Sequence, residues 1–283
     1  MEHYTLIGHP LGHSMSPWIH KRLFQFSGRA ADYTLTDLVA EDLTLQIDDL
    51  RSLNGFNVTI PHKVEIIPFL DDMAASAQRY QSVNCVVNRN GNLIGYNTDC
   101  DGFLRSVESF PLSGKVLLLG CGGVGRMMAT EAVLHGADLT IGILERHLPL
   151  AHTFAEELRE MIPRAKVRYA LTAELDEPFD LLLNSTPVGM YPHIEAMPLS
   201  ENLLTKCGTV FDVIYNPTET KLVQTAKTMG KPVCGGAAML VWQAVKAHEI
   251  WNGDTYSNEQ IQTLIAEMEA EIQRLFPIKG ERR

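Results

Sequence analysis

Short apolar runs alternate with amphipathic helical stretches along the first part of the chain. The pattern predicts strands at residues 4–8, 33–38, 56–60, 83–87 and 93–97. Asn90-Gly91, just before the last of these, is a tight-turn signal. A helix is predicted with Ser16 as its N-cap and Gly28 at its end. We therefore predict a first α/β unit over residues 1–102.

A second series of apolar runs begins at Lys115 and differs in character from the first. It covers residues 116–119, 139–144, 167–171, 181–184, 210–214 and the surroundings of Val233. These runs are continuous rather than alternating, which is typical of parallel strands buried on both faces. The stretches between them are long enough for crossover helices, so we predict a doubly wound sheet over residues 103–236.

Two further helices are predicted after this sheet, at residues 237–251 and 257–276. Ser257 and Gln260 have the spacing of a capping box at the start of the second helix, whose apolar positions fall on one face. We predict an α/β fold of two domains. Residues 1–102 with 237–283 would form a substrate-binding domain completed by C-terminal helices, and residues 103–236 a Rossmann nucleotide-binding domain.

The composition excludes several classes of partner. The net charge of −10 over 283 residues disfavours nucleic acid and anionic membranes, which both attract basic surfaces. Neither a signal peptide nor an apolar stretch long enough to span a bilayer is recognisable. The five cysteines form no C-x-x-C pair, and proline and glycine separate His9, His13 and His20, so we predict no disulfide framework and no metal. We expect a cytoplasmic protein, monomeric or homodimeric, acting on a small molecule.

A glycine-rich turn connects the strand at 115–119 to the helical pattern that follows. It has the spacing G-x-G-x-x-G in a strand–turn–helix context, which is typical of dinucleotide binding. Glycines allow the backbone to approach a pyrophosphate, and the N-terminus of the helix stabilises its charge. The predicted cofactor contacts in this turn are Gly120, Gly122, Gly123, Val124 and Gly125.

Two neighbouring residues beyond the next strand give opposite indications about the coenzyme. Glu145 follows the last glycine by about 20 residues, where an acidic side chain binds the ribose 2′-hydroxyl of NAD and repels a 2′-phosphate. Arg146 can pair with that phosphate, which favours NADP. We predict NADP or NAD as coenzyme. Glu145 and Arg146 together leave the choice between them open, and Glu145 weakly favours NAD.

Amides, hydroxyls and charges gather at the strand ends of the first unit. This mixture suits a polyhydroxylated acid, since the hydroxyls before the first helix can bind a carboxylate and the amides can bind ring hydroxyls. The side chains concerned are Ser14, Ser16, Asn57, Thr59, Lys63, Asn84 and Asp99.

Together these motifs closely resemble the shikimate dehydrogenase family, and the resemblance runs from Ile7 to about Gly253. It continues through residues 184–190, 212–217 and 236–243. The resemblance implies Lys63 and Asp99 as the catalytic pair. It further implies substrate contacts at Ser14, Ser16, Asn57, Thr59, Asn84, Tyr215 and Gln243. Beyond the glycine turn, the implied cofactor contacts are Thr186, Val213, Gly236 and Met239. Glu145 and Arg146 are predicted as cofactor contacts from their position after the glycine motif.

The chain departs from the family pattern at three places. Residues 145–147 read Glu-Arg-His where the family usually has Asn-Arg-Thr, which puts the usual NADP preference in doubt. Residues 81–85 read Gln-Ser-Val-Asn-Cys instead of Gly-Ala-Val-Asn-Thr, and Val124-Gly125 stands where small residues such as alanine are more usual. None of these changes removes a predicted catalytic group.

The implied reaction is the reversible reduction of 3-dehydroshikimate to shikimate in aromatic amino acid biosynthesis. An NAD-dependent quinate/shikimate dehydrogenase is the main alternative: Glu145 favours it, whereas Ser16 resembles shikimate-specific members more than quinate users, which often have threonine there. A catalytically silent metabolite-binding protein and a folate-type or amino-acid dehydrogenase are further alternatives. The retained Lys63 and Asp99 argue against the silent protein, and the serine pair argues against the other dehydrogenases.

Overall fold

The computed structural model describes residues 1–12 and 14–277, and its contacts divide the chain into two compact units. The first unit comprises Met1–Gly102 and Leu240–Ile265, and the second comprises Phe103–Met239 and the residues from Ala266 onward. The sequence prediction assigned all of 237–283 to the first domain. In the structure, however, Gln273 donates to Thr218 of the second unit, Nε2 to Oγ1, at 3.1 Å. Residues 278–283 and His13, one of the three histidines considered as metal ligands, lie outside the described residues.

The first unit is built on a six-stranded mixed sheet. Its strands are β1 (Glu2–Gly8), β2 (Ala31–Asp37), β3 (Gly55–Val58), β4 (Asp72–Met73), β5 (Cys85–Arg89) and β6 (Asn92–Tyr96). The strand order is β2-β1-β3-β5-β6-β4. Strand β1 is parallel to β2 and β3, whereas β5 is antiparallel to both β3 and β6. The carboxyl ends of β1 and β3 therefore lie side by side, and the amino end of β5 lies next to the carboxyl end of β3.

The second unit contains a parallel six-stranded sheet. Its strands are β7 (Lys115–Leu119), β8 (Asp138–Ile143), β9 (Lys166–Leu171), β10 (Phe179–Asn184), β11 (Cys207–Asp212) and β12 (Val233–Gly235). The order β12-β11-β10-β7-β8-β9 is the doubly wound order, with the switch point between β7 and β10. Val116, Leu117 and Leu118 are fully buried, as expected for a central strand covered on both faces. The predicted α/β fold class is confirmed.

Helices connect and cover the strands of each unit. In the described residues they are α1 (Ser16–Ser27), α2 (Leu43–Arg51), α3 (His62–Glu65), α4 (Ala75–Tyr80), α5 (Asp99–Ser106), α6 (Gly123–Leu134), α7 (Leu148–Met161), α8 (Glu201–Thr205), α9 (Lys221–Thr228), α10 (Gly236–Asn252) and α11 (Asn258–Leu275). The predicted capping box of α11 is confirmed, because Ser257 and Gln260 exchange side chain–backbone hydrogen bonds of 2.9 and 3.2 Å.

The predicted N-cap of α1 is wrong. The helix begins at Ser16 itself, its cap position is Met15, and no side-chain hydrogen bond caps it. The reason is that the Met15 carbonyl already accepts the Ile19 N–H at 3.1 Å, while the Ser16 N–H donates to Ser14 Oγ at 3.3 Å, so the helix starts one residue earlier than predicted.

Helix α10 completes the first unit by packing against the sheet. The indole N–H of Trp251 donates to the backbone carbonyl of Val86 at 2.9 Å, and its ring packs against Tyr4 with centroids 4.6 Å apart. Gly55 has to be glycine because a Cβ there would stand 2.5 Å from Trp251 Nε1 and 2.8 Å from the Val86 carbonyl oxygen. A residue from the C-terminal part of the chain thus belongs to the core of the N-terminal sheet.

Candidate active site

Lys63 and Asp99 meet in the first unit. Lys63 lies on the one-turn helix α3 after β3, and Asp99 is the first residue of α5 after β6. The Lys63 ammonium donates to Asp99, Nζ to Oδ2, at 2.6 Å, and the side chains are 25% and 19% exposed. The pair is therefore accessible to a ligand but largely shielded from bulk water, which strengthens its electrostatic effect on a bound group.

The second carboxylate oxygen of Asp99 is bound by Asn84. The Asn84 amide donates to Asp99 Oδ1 at 2.8 Å and to Thr98 Oγ1 at 3.0 Å, while its oxygen accepts the Thr98 backbone N–H at 2.7 Å. Both N–H groups of the buried Asn84 are thus engaged within the protein. Asn84 was predicted as a substrate contact, and this geometry adds that it fixes the orientation of Asp99.

Three backbone contacts fix the segments that carry these side chains. The Lys63 carbonyl accepts the Val83 N–H at 2.7 Å, and the Asn84 carbonyl accepts the Val58 N–H at 2.9 Å. The Asn97 side chain accepts the Asp99 N–H at 3.1 Å. The ends of β3, β5 and β6 are thereby held together, which is why residues so far apart in sequence share one cluster.

The remaining predicted substrate residues of the first unit surround this cluster or lie on adjoining segments. Asn57 is buried on β3 and donates to the Asn84 carbonyl at 3.0 Å, and Gln243 of α10 accepts from Thr98, Oγ1 to Oε1, at 3.5 Å. Thr59 follows β3 beside Gly8, where a Cβ would stand 2.3 Å from its methyl group. Ser14 accepts the Ser16 backbone N–H at 3.3 Å, so the two serines share one turn.

Tyr215, the other predicted substrate residue, belongs to the second unit. It follows β11 and is half-buried. Desolvation by burial raises the pKa of its phenol, which therefore stays protonated and able to donate at neutral pH.

The glycine turn of the second unit has the backbone that a dinucleotide requires. Gly120 adopts a positive φ of 99°, and Gly122 precedes the twelve-residue helix α6, which begins at Gly123. A Cβ at Gly122 or Gly123 would meet no atom within 4 Å, so the N-terminus of α6 is open to a ligand. At Gly125, by contrast, a Cβ would stand 2.4 Å from Ser185 Oγ and 2.6 Å from the Gly120 carbonyl oxygen. The turn thus fits a pyrophosphate group, with close helix–strand packing behind it.

A buried polar pair organises the strand ends next to this turn. Asn184 at the end of β10 donates to Asp212 at the end of β11, Nδ2 to Oδ1, at 2.9 Å, and its oxygen accepts the Thr186 hydroxyl at 2.7 Å. Burial raises the pKa of Asp212, whereas its hydrogen bonds, the largest from Thr220, act to lower it. The resemblance named Thr186 but not this pair, although both residues lie within motifs that carried the resemblance.

The other predicted cofactor residues are placed by the same strand ends. The Val213 N–H donates to the Asn184 carbonyl at 3.0 Å, and a Cβ at Gly236 would stand 1.9 Å from the Val213 carbonyl oxygen. Met239 is buried on α10. Glu145 and Arg146 are exposed in a 3-10 turn just beyond β8, where an adenosine ribose is expected in this fold.

Neither a helix suited to crossing a membrane nor a metal-binding group of side chains occurs among the described residues. Over residues 1–12 and 14–277, no helix is both long and apolar enough to cross a membrane. Within the same residues, no group of three or more His, Cys, Asp or Glu side chains is arranged to hold a metal ion.

A doubly wound unit with an open glycine turn, together with a second α/β unit that carries a lysine–aspartate pair, defines a dinucleotide-dependent oxidoreductase. Comparisons with known proteins identify the family. A family model described as the shikimate dehydrogenase substrate binding domain matches residues 6–86. A shikimate dehydrogenase (NADP(+)) of Streptococcus pneumoniae is 36% identical over 267 residues, covering 91% of this chain and 93% of that protein. One of Bacillus cytotoxicus is 37% identical over 256 residues, covering 88% and 92%.

Solved structures agree with these relatives. A shikimate dehydrogenase in complex with NADP+ superposes with a TM-score of 0.85 at 33% identity, covering 95% of this chain and 96% of that one. The Thermus thermophilus enzyme in complex with NADP(H) and shikimate gives 0.83 at 31% identity, covering 94% and 99%. This chain belongs to the shikimate dehydrogenase family, as its motifs predicted.

Proposed function

We propose that this chain catalyses the reversible, nicotinamide-dependent reduction of 3-dehydroshikimate to shikimate. The observation that carries the proposal is the Lys63–Asp99 pair, closed at 2.6 Å and supported by Asn84, in a chain of the shikimate dehydrogenase family. The NADP(+) in the names of the relatives supports NADP(H) as coenzyme.

Lys63 is proposed to stabilise and protonate the oxygen of the ring ketone. Negative charge develops on that oxygen during reduction, and an ammonium group can stabilise the charge and donate the proton. In the reverse direction the Lys63 amine accepts the proton of the ring hydroxyl. Asp99 orients Lys63 and offers a carboxylate to a neighbouring substrate hydroxyl.

Substrate orientation is assigned to the other polar side chains of the first unit. Ser14 and Ser16 share one turn and are proposed to bind the substrate carboxylate, while Asn57, Thr59 and Gln243 are proposed to bind ring hydroxyls. Tyr215 of the second unit is proposed as a further donor to the substrate.

The glycine turn is proposed to hold the coenzyme. Gly120, Gly122, Gly123, Val124 and Gly125 are expected to face its pyrophosphate, with Thr186, Val213, Gly236 and Met239 lining the nicotinamide half. The bound coenzyme supplies or accepts the hydride. Glu145 and Arg146 are proposed to contact the adenosine ribose or its 2′-phosphate.

The location of the protein is inferred from the state of its cysteines. We infer a cytoplasmic location, because the five cysteines are all free, as is usual in a reducing compartment. A monomer or homodimer stays a prediction.

Replacing Lys63 tests the assignment of the catalytic pair. Lys63→Ala is expected to lower kcat for shikimate oxidation about 100-fold or more, as loss of a general acid typically does, while shikimate still binds in calorimetry. Lys227→Ala is a matched control, because Lys227 also pairs with a carboxylate, that of Glu219, but lies in the second unit. Near-normal turnover by purified Lys63→Ala would rule the assignment out.

A second reading, an NAD-dependent quinate/shikimate dehydrogenase, is favoured by the exposed Glu145 beyond β8. Steady-state rates with shikimate and quinate, each with NADP+ and NAD+, separate the two readings. We expect the highest kcat/KM with shikimate, and a higher value with quinate and NAD+ would establish the alternative. Tight binding of shikimate without turnover would instead favour a silent binding protein.

A further inference from the structure

One phenol hydroxyl in the first unit bonds to one of the proposed substrate contacts. Tyr33 lies on β2, and its hydroxyl donates to Asn57 Oδ1 on β3 at 2.8 Å. Because Asn57 in turn donates to the Asn84 carbonyl, Tyr33 connects β2 to the amide cluster around Asn84.

Tyr33, Asn57 and Asn84 are joined by two successive hydrogen bonds. The donor and the acceptor of each bond follow from the last acceptor, the Asn84 backbone carbonyl. The Asn84 backbone carbonyl can only accept, so the group facing it at 3.0 Å must be the Asn57 amide nitrogen. Asn57 Oδ1 then faces Tyr33, which must donate to it. The Tyr33 proton is thereby committed to Asn57.

This order leaves a donor available to a ligand, because the Asn57 amide keeps a second N–H. If the Tyr33 hydroxyl were absent, the Asn57 amide would lose the hydrogen bond that opposes its rotation.

The ring of Tyr33 is itself held in place. It stacks on His20 with centroids 4.0 Å apart and an interplanar angle of 6°, and His20 is fully buried. His20 in turn hydrogen-bonds His248 of α10, Nδ1 to Nε2, at 3.0 Å. Burial raises the pKa of the Tyr33 phenol, which keeps it a donor at neutral pH.

We propose that Tyr33 is a positioning residue for substrate recognition, which sets the Asn57 amide for the bound hydroxy acid through a single hydroxyl. This inference rests on the proposed function, since it concerns the substrate of that site. Tyr33 acts through Asn57 and is not assigned a contact with the substrate.

Tyr33→Phe separates this role from simple packing, because it keeps the ring on His20 and removes only the hydroxyl. We expect KM for shikimate to rise about 5- to 20-fold, a typical loss for one buried hydrogen bond, with kcat within about 3-fold. KM for NADP+ and the melting temperature are expected to stay at wild-type values. Tyr4→Phe is the matched control, because the Tyr4 hydroxyl donates at 2.9 Å to Asn252, away from this chain of bonds.

A double substitution tests whether Tyr33 acts through Asn57. If it does, Tyr33→Phe/Asn57→Ala should have a KM for shikimate well below the product of the two single effects, since coupled residues are not additive. Independent, multiplicative effects would overturn the coupling to Asn57.

The outcomes distinguish this inference from the function on which it rests. Wild-type turnover of shikimate with an unchanged KM in Tyr33→Phe overturns the positioning role alone. A lowered melting temperature with equal rises in both KM values also overturns it, because that result marks a structural residue. If the wild type leaves shikimate unoxidised with either coenzyme, the proposed function fails, and the inference fails with it.

Discussion

The Nζ atom of Lys63 lies 2.6 Å from Oδ2 of Asp99, although the two residues are 36 positions apart. Neither residue lies in the middle of a strand. Each follows the end of one, and hydrogen bonds from Asn84 and Asn97 fix the segment that carries Asp99. The pair is therefore preorganised by the protein, which is what catalysis by a positioned charge requires.

Asp99→Asn removes the charge of this pair and keeps its shape. The new side-chain oxygen can still accept from Asn84, so the fold and the melting temperature should change little. We expect kcat for shikimate oxidation to fall about 10- to 1000-fold, because Lys63 loses its orienting carboxylate. Steady-state kinetics measure this, and a kcat within 3-fold of wild type would contradict the assigned role.

Replacing Glu145 should change the coenzyme preference. Glu145→Asn removes a negative charge that opposes a 2′-phosphate, so we expect the ratio of kcat/KM for NADP+ to that for NAD+ to rise about 10-fold. Arg146→Ala should move the same ratio the opposite way, because it removes a cation that can pair with the phosphate. If the ratio is insensitive to both changes, these side chains do not contact the adenosine end of the coenzyme.

Two glycines of the same turn should respond differently to alanine. At Gly125 a Cβ would stand 2.4 Å from Ser185 Oγ and 2.6 Å from the Gly120 carbonyl oxygen. Gly125→Ala should therefore lower the free energy of unfolding by about 1–3 kcal/mol, as overpacking does. Denaturant unfolding curves measure this loss.

Gly123→Ala is the matched comparison in the first turn of α6. A Cβ there meets no atom within 4 Å, so the stability should be maintained. Affinity for the coenzyme should nevertheless fall, because the methyl group occupies space that the pyrophosphate needs. Equal losses of stability in the two variants would contradict the geometry of the turn.

The buried histidines of the first unit should make stability depend on pH. Burial lowers the pKa values of His20 and His248 below the ordinary value of 6.5, with Asp254, Arg29 and Glu2 as the charges nearest His248. Below pH 6.5 the unfolded chain binds protons at these sites that the folded chain does not, so stability falls as the pH falls. Between pH 7.5 and 5.5 we expect a loss of about 1–3 kcal/mol, measured by guanidinium unfolding.

His248→Phe serves as the control for this effect. The aromatic replacement keeps the packing against Phe24 and Trp251 but carries no titrating group. The loss of stability between pH 7.5 and 5.5 should therefore be smaller by about 1 kcal/mol than in wild type. An unchanged difference would show that His248 does not contribute.

The second unit could be predicted from sequence almost completely, because its signals are local. Continuous apolar runs mark β7 to β11, and the glycines that begin α6 lie within one short segment. The antiparallel pairing of β5 with β3 and the two-residue β4 carry no comparable signal. The sequence of a five-residue apolar strand does not indicate whether it pairs parallel or antiparallel with its neighbour. Strand β4 is too short to show a hydrophobic periodicity.

The candidate site was predicted as a set of residues but not as a network. Motifs marked Lys63 and Asp99, which follow strands, and Asn84, which directly precedes β5. Tyr33 was assigned only to a strand, since an isolated tyrosine in an apolar run does not reveal what its hydroxyl bonds. The Ser16 cap was predicted wrongly because local rules place a serine before a proline at the cap position, whereas here the cap position is Met15 and Ser16 is already helical.

The position of Trp251 in the core of the first unit has a consequence for synthesis on the ribosome. The β1–β6 sheet is complete in the nascent chain by Tyr96, but the helix that supplies Trp251 emerges roughly 150 residues later. At about 5–20 residues per second this interval is on the order of 10–30 s. During that time the nucleotide-binding unit is translated and can fold, while the apolar face around Tyr4 and Gly55 stays uncovered. The N-terminal half of this enzyme is thus the last part to mature, and this interval is when a chaperone would be of most use to it.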